Sequence, residues 1–153
     1  MGKIISFSNQ KGGVGKTTTC VNMAAYLSRA GKKVLLIDLD PQGNATTGLG
    51  FSKGTLKKSV YNVVIEGEEV KDNILETELE GLYILPSNID LAGAEVDLVY
   101  KKNRDRVLKA ALEKAKGAFD YILIDCPPSL GLLTINALSA ADSAIIPIQS
   151  EYY

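Results

Sequence analysis

The chain of 153 residues contains no histidine, so no mechanism that needs an imidazole is open to it. It has two cysteines, Cys20 and Cys126. That is too few for a disulfide framework, and they lie too far apart for a zinc site. A reducing, cytosolic setting is expected, with both thiols serving as small buried residues. No stretch approaches the roughly 20 apolar residues of a membrane span, and no basic-then-apolar leader precedes the first strand. Repeats, low-complexity tracts and linkers are missing too, and one domain over residues 1–153 is expected. What is present is ordinary for a globular domain: 46% hydrophobic and 23% charged residues, with a formal charge of -1.

That near-neutral total hides an uneven layout. Residues 1–60 hold nine Lys/Arg and two Asp/Glu, residues 61–100 one and ten, and residues 101–153 seven and six. An anionic ligand belongs with the basic first third. The acidic middle reads as solvated surface.

The apolar pattern alternates between short strands and helices. Residues 3–8 read as a buried strand, 10–15 as a glycine-rich turn, 17–30 as a helix ended by Gly31, and 33–38 as a second strand. This is a βαβ unit, which implies parallel strands. Residues 39–54 read as a loop and 59–65 as a short helix. Edge strands are expected over 73–77 and 82–85, and helices over 90–99 and 104–116. A fully buried strand at 121–125, a helix at 132–140 and a strand at 143–148 complete the pattern. The fold class is α/β, with a mostly parallel sheet flanked by helices on both faces.

Three segments carry chemistry. The first is Lys11-Gly12-Gly13-Val14-Gly15-Lys16-Thr17-Thr18, between the first strand and the first helix. Glycines let backbone N–H groups approach a phosphate chain, and the helix N-terminus adds partial positive charge. Lys16 reaches the β- and γ-phosphates, and the Thr17 hydroxyl ligates Mg²⁺. The second is Asp38-Leu39-Asp40-Pro41-Gln42-Gly43-Asn44, at the end of the second strand. Strand C-termini are where ligands sit in open parallel sheets. Two carboxylates one residue apart point to opposite sides if the strand continues. Turn-forming Asp residues before a Pro are the plainer reading of this segment. The third is Ile122-Leu123-Ile124-Asp125, followed by Cys126-Pro127-Pro128-Ser129-Leu130-Gly131. An Asp that ends a buried strand is common by itself; its value here is as the third element in order after the glycine-rich loop, where it could face a metal through water, and the prolines stiffen the turn beyond it.

The ordinary P-loop has a glycine where Gln10 stands, and this chain has instead a second lysine, Lys11. The loop resembles the deviant Walker A loop, K-G-G-x-G-K-[ST], of the ParA/MinD family of P-loop ATPases. The segments around Asp40 and Asp125 are most similar to the ParA/Soj partitioning branch, and the resemblance runs from Lys3 to Tyr153, including Gln149 to Tyr153. It implies a P-loop NTPase fold with ATP/ADP and Mg²⁺ as cofactors. Lys11 through Thr18 would hold the nucleotide. Lys11 would cross a sandwich homodimer to the partner's phosphates. Asp40 would orient the attacking water and is a further candidate for the metal, alongside Thr17 and Asp125; Asp38 would play a supporting role. The resemblance also implies an ATPase switch for chromosome or plasmid partitioning, with Cys126 to Gly131 as its switch II segment and Gly131 letting that loop rearrange when the γ-phosphate leaves. Its dimer would bind DNA non-specifically, a ParB-type protein would stimulate hydrolysis, and the location would be cytoplasmic and nucleoid-associated in a bacterium or archaeon. Family members run to about 250 residues, so the chain reads as an N-terminal portion without the adenine-contacting and main DNA-binding parts.

The same loop also serves MinD-type membrane-associated regulators, from which Asp-Pro-Gln-Gly-Asn diverts the reading. ATP-dependent ligases or reductases of the same fold are a third reading, and a binding module with little catalysis is a fourth. The basic residues Lys101, Lys102, Arg104, Arg106, Lys109, Lys114 and Lys116 read as a solvated helix face before they read as a DNA contact. Tyr152 and Tyr153 read as packing residues.

Overall fold

The computed structural model describes residues 2–9 and 15–148. A six-stranded sheet runs in the order β3-β4-β2-β5-β1-β6. Its strands are β1 (Lys3–Phe7), β2 (Val34–Asp38), β3 (Leu75–Glu76), β4 (Leu82–Leu85), β5 (Tyr121–Asp125) and β6 (Ser143–Ile145). Every pairing is parallel except the edge pair of β3 with β4. Among the described residues six α-helices accompany it: α1 (Lys16–Arg29), α2 (Asn44–Gly48), α3 (Val60–Val64), α4 (Ala94–Val99), α5 (Val107–Glu113) and α6 (Leu132–Ala140). This is the expected P-loop NTPase-like α/β architecture.

Strand alternation divides the core into two layers. Ile5, Phe7, Val34, Leu36 and Leu123 pack with Cys20 and Ala24 of α1 and Ala45 of α2. Ile4, Leu35, Ile37, Ile122 and Ile124 pack on the other face with residues of α3, α4, α5 and α6. β2 is buried at every position, as a central strand covered on both sides must be.

The same alternation places the carboxylates. Asp38 shares the parity of Val34 and Leu36, and Asp125 that of Leu123, so both belong to the α1 face. Phe7, Asp125 and Asp38 stand side by side in register at the ends of β1, β5 and β2. From β1 the chain crosses to β2, beyond β5; from β5 it crosses to β6, beyond β1. The two connections diverge above β1 and β5, where open parallel sheets hold their ligands.

Several element boundaries differ from those read in the sequence. The 39–54 loop contains α2, because Gly43 turns the chain at φ 70° and buried Asp38 holds Thr46. A 3-10 stretch, Ile89–Gly93, precedes α4. The helix expected over 104–116 forms only as α5, after turns in which Asn103 takes φ 58°. The side chain of Asn136 accepts from the Leu108 amide at 3.1 Å, so a tertiary contact sets where α5 starts. β3 spans two residues and β6 ends at Ile145.

Candidate phosphate and metal site

α1 begins where β1 delivers the chain to the C-terminal edge of the sheet. Gly15 enters it at φ 75°, a left-handed conformation that strains any side-chain-bearing residue. Gly15 itself brings no capping side chain. The start of this 14-residue helix carries the positive end of its dipole, and its first two side chains reach Asp125.

Lys16 is only 8% exposed, unusual for a lysine, and its aliphatic stem lies on the stripe of Cys20, Ala24 and Ser28. Its ammonium donates to Oδ1 of Asp125. The Thr17 hydroxyl donates to Oδ2 of the same carboxylate at 2.8 Å. Nζ of Lys16 is 3.4 Å from Oγ1 of Thr17. A cation, a hydroxyl and a carboxylate therefore converge at the meeting of α1 and β5. Burial pushes the Asp125 carboxyl up, while the ammonium and the hydroxyl pull it down.

Asp38 is wholly buried and turned to structure. Its Oδ2 accepts from the amide (2.8 Å) and the hydroxyl (2.7 Å) of Thr46, and its Oδ1 from the amide of Asp40 (3.2 Å). The Thr46 hydroxyl in turn accepts from the Ser87 amide at 3.0 Å. Desolvation raises the Asp38 carboxyl to about 7, against the pull of the Thr46 bonds. The supporting role expected of Asp38 is a fastening of α2 to β2 and to the turn after β4.

Asp40 is 5% exposed. The strand has ended, so the opposite-sides arithmetic of an extended chain does not apply: Asp40 opens a turn. Its Oδ1 accepts from the Gln42 amide at 2.9 Å and its carbonyl from the Gly43 amide at 2.9 Å. The turn reading of this segment thus describes Asp40. Its charge acts on Asp125, which it helps to raise. Lys53 straps the turn from outside, donating to the carbonyl of Gln42 at 2.6 Å. The sequence reading passed over Thr46 and Lys53. The threonine lies in what looked like polar loop, and no local pattern announces a lysine whose partner is a backbone carbonyl eleven residues away.

Of the residues expected at the site, Gly15, Lys16, Thr17 and Asp125 come together, Thr18 lies exposed on the first turn of α1, and Asp40 stands nearby. Lys11, Gly12, Gly13 and Val14 lie outside the described residues, as do Gln149 to Tyr153. Among the described residues no three His, Cys, Asp or Glu side chains form a metal cluster. One hydroxyl beside one carboxylate instead suits a small divalent cation that keeps several waters and takes other ligands from phosphate oxygens. Cys20 and Cys126 are buried free thiols, and burial holds the Cys126 thiol at about 12. The basic residues 101–116 are spread over turns and α5; Lys114 pairs with Glu69 and Lys116 with Glu113, both at 3.1 Å. No helix among the described residues is long and apolar enough to cross a membrane.

The family model described as "AAA domain" matches residues 2–153. The chain is 58% identical to the sporulation initiation inhibitor protein Soj of Bacillus subtilis over its whole length, and spans 60% of that relative. A structure of cobyrinic acid a,c-diamide synthase from Mycobacterium smegmatis, with a bound ATP analog and magnesium, superposes with a TM-score of 0.95 at 47% identity. It covers 99% of this chain and 62% of that one. A Borrelia burgdorferi protein described as a putative plasmid partition protein, bound to AMPPNP, gives 0.85 at 34% identity, covering 96% and 61%.

Proposed function

Since the chain belongs to the AAA-domain family, in its ParA/Soj group of deviant Walker A ATPases, we propose that it is the nucleotide-binding portion of an ATP-driven partitioning switch. The observation that carries this reading is the convergence of Lys16 and Thr17, from one turn of α1, on Asp125 at the end of β5. The magnesium and nucleotides bound in the related structures support ATP/ADP and Mg²⁺ as its cofactors.

Magnesium would draw negative charge from the phosphates and link them to the protein. Thr17 would ligate it directly and Asp125 through water. Lys16, released from Asp125, would neutralise the β- and γ-phosphates. The backbone of residues 11–18 would cradle the phosphate chain, and the carboxylate of Asp40 would hold the attacking water in line. Lys11 would reach the nucleotide of a second copy, tying occupancy to homodimerisation. The resulting cycle is a dimer that binds DNA non-specifically, a ParB-type partner that accelerates hydrolysis, and release on return to ADP, in a cytoplasmic, nucleoid-associated setting. Residues 1–153 form the N-terminal portion of that single ATPase domain.

Calorimetric titration with ATP and Mg²⁺ tests the site. Wild type binds, and Lys16→Ala loses roughly 100-fold or more, about 2.7 kcal/mol. A variant that binds as tightly as wild type removes the P-loop assignment.

The Mycobacterium smegmatis relative, named as a synthase, favours a second reading: an ATP-dependent amide ligase on the same fold. Such an enzyme spends ATP only when a carboxylate substrate is present. Phosphate release in the absence of any organic acid, accelerated by DNA with a ParB-type protein, supports the switch; release that waits for a carboxylate substrate supports the ligase.

A further inference from the structure

Glu95 lies in the acidic stretch that reads as solvated surface, in the first turn of α4. Its carboxylate is engaged elsewhere. Oε2 accepts from the Leu132 amide at 2.6 Å and Oε1 from the Leu133 amide at 3.1 Å. These are the first two amides of α6, and they need an outside acceptor because the preceding residue, Gly131, has no capping side chain. The approach is close: a Cβ on Gly131 would stand 2.5 Å from Oε1 of Glu95, so a side chain there would push the carboxylate off the helix end.

Between Asp125 and this cap run only six residues, Cys126 to Gly131. At the near end the Cys126 amide is held by the Phe7 carbonyl at 3.0 Å. At the far end the Thr134 hydroxyl donates to the Ser129 carbonyl at 2.6 Å. Pro128, Ser129 and Leu130 are exposed in between. The segment is suspended from the phosphate site at one end and from a charge-assisted helix cap at the other.

We infer that Glu95 is a positioning residue: it anchors the far end of the Cys126–Gly131 segment, so that a change of occupant at Asp125 moves this segment and leaves α6 in place. The inference rests on the nucleotide reading above. It adds a residue outside the three chemical segments.

Amide exchange on the whole chain, with Mg²⁺ and either ADP or a slowly hydrolysed ATP analogue, tests it. In wild type the two nucleotides give different exchange within 126–131, and the amides of 132–140 exchange alike in both. In Glu95→Ala the Leu132 and Leu133 amides exchange about tenfold faster, and the nucleotide-dependent difference spreads into α6. Nucleotide affinity stays within twofold, and β1, β2 and β5 exchange as before. Glu95→Gln, which accepts through one oxygen, falls between. A nucleotide difference still confined to 126–131 in Glu95→Ala overturns the inference, as does faster exchange throughout the strands. Wild type that binds nucleotide without any change at 126–131 also overturns it. Wild type that binds none overturns the nucleotide reading first.

Discussion

Asp38 and Asp125 face each other in register across β2 and β5, both buried, yet their partners differ. Asp125 is shared by the ammonium of Lys16 and the hydroxyl of Thr17. Among the described residues no cation pairs with Asp38; three donors from the backbone and side chain of its own loop hold it. Two carboxylates of one parity on adjacent strands repel, and the charge of Asp125 helps to raise Asp38. Among the described residues Asp125 is matched by a positive charge and Asp38 by neutral donors.

That difference yields a pH prediction. The Asp38 carboxyl sits near 3.8 in an unfolded chain and at about 7 in the folded one. Its folded value is raised, so the protonated form favours folding. The contribution is full below about 4 and is lost as the pH rises to about 7. At about 1.4 kcal/mol per pH unit of separation, it amounts to at most about 4 kcal/mol. Asp38→Asn, which cannot ionise, should lack this fall. Urea midpoints at pH 4.5 and 7.5 in magnesium-free buffer check it: wild type should lose stability relative to the variant over that window, and parallel curves would contradict the assignment.

Asp40 has a turn role and a proposed water-holding role, and two substitutions separate them. Asn retains an acceptor for the Gln42 amide and so preserves the turn; Ala loses both. If the carboxylate holds water, Asp40→Asn and Asp40→Ala should each lower phosphate release about 100-fold while ATP binding stays near wild type. Asp40→Asn turning over at the wild-type rate would reduce the residue to its turn.

Lys11 is expected to act across subunits, so its loss should be visible in association before it is visible in binding. With ATP and Mg²⁺, Lys11→Ala should remain monomeric by size-exclusion chromatography under conditions where wild type dimerises, with monomer affinity reduced less than threefold. Equal dimer yield would assign Lys11 to the surface.

The sheet and the core of the site were legible because they depend on local signals. Four apolar residues before Asp125, and a glycine-rich turn between a strand and a helix, each state their own position. Parity along β2 and β5 then brings Asp38 and Asp125 to the α1 face. What was not legible depends on partners distant in sequence. The start of α5 follows from Asn136, α2 from the grip of Asp38 on Thr46, and the role of Glu95 from a helix 37 residues on. Glu95 carries the same charge as its exposed neighbours, and only the tertiary fold separates it from them.

The Asp40 turn offers a test of how tightly the proposed water-holding group is built in. Gly43 closes this turn at φ 70°, where an L side chain costs about 1–2 kcal/mol. A Cβ there would also come within 2.8 Å of Cδ of Lys53, the residue whose ammonium holds the Gln42 carbonyl. Gly43→Ala should therefore strain the backbone and displace the strap together, whereas Lys53→Ala removes the strap alone. Both should lower phosphate release, because each loosens the loop that presents Asp40; only Gly43→Ala should also lower the urea midpoint, since the exposed Lys53 bond contributes little to folding. Double substitution discriminates further. If the clash with Lys53 is part of the cost, adding Lys53→Ala should recover some of the stability lost in Gly43→Ala, and strictly additive losses would show that the strain lies in the backbone alone.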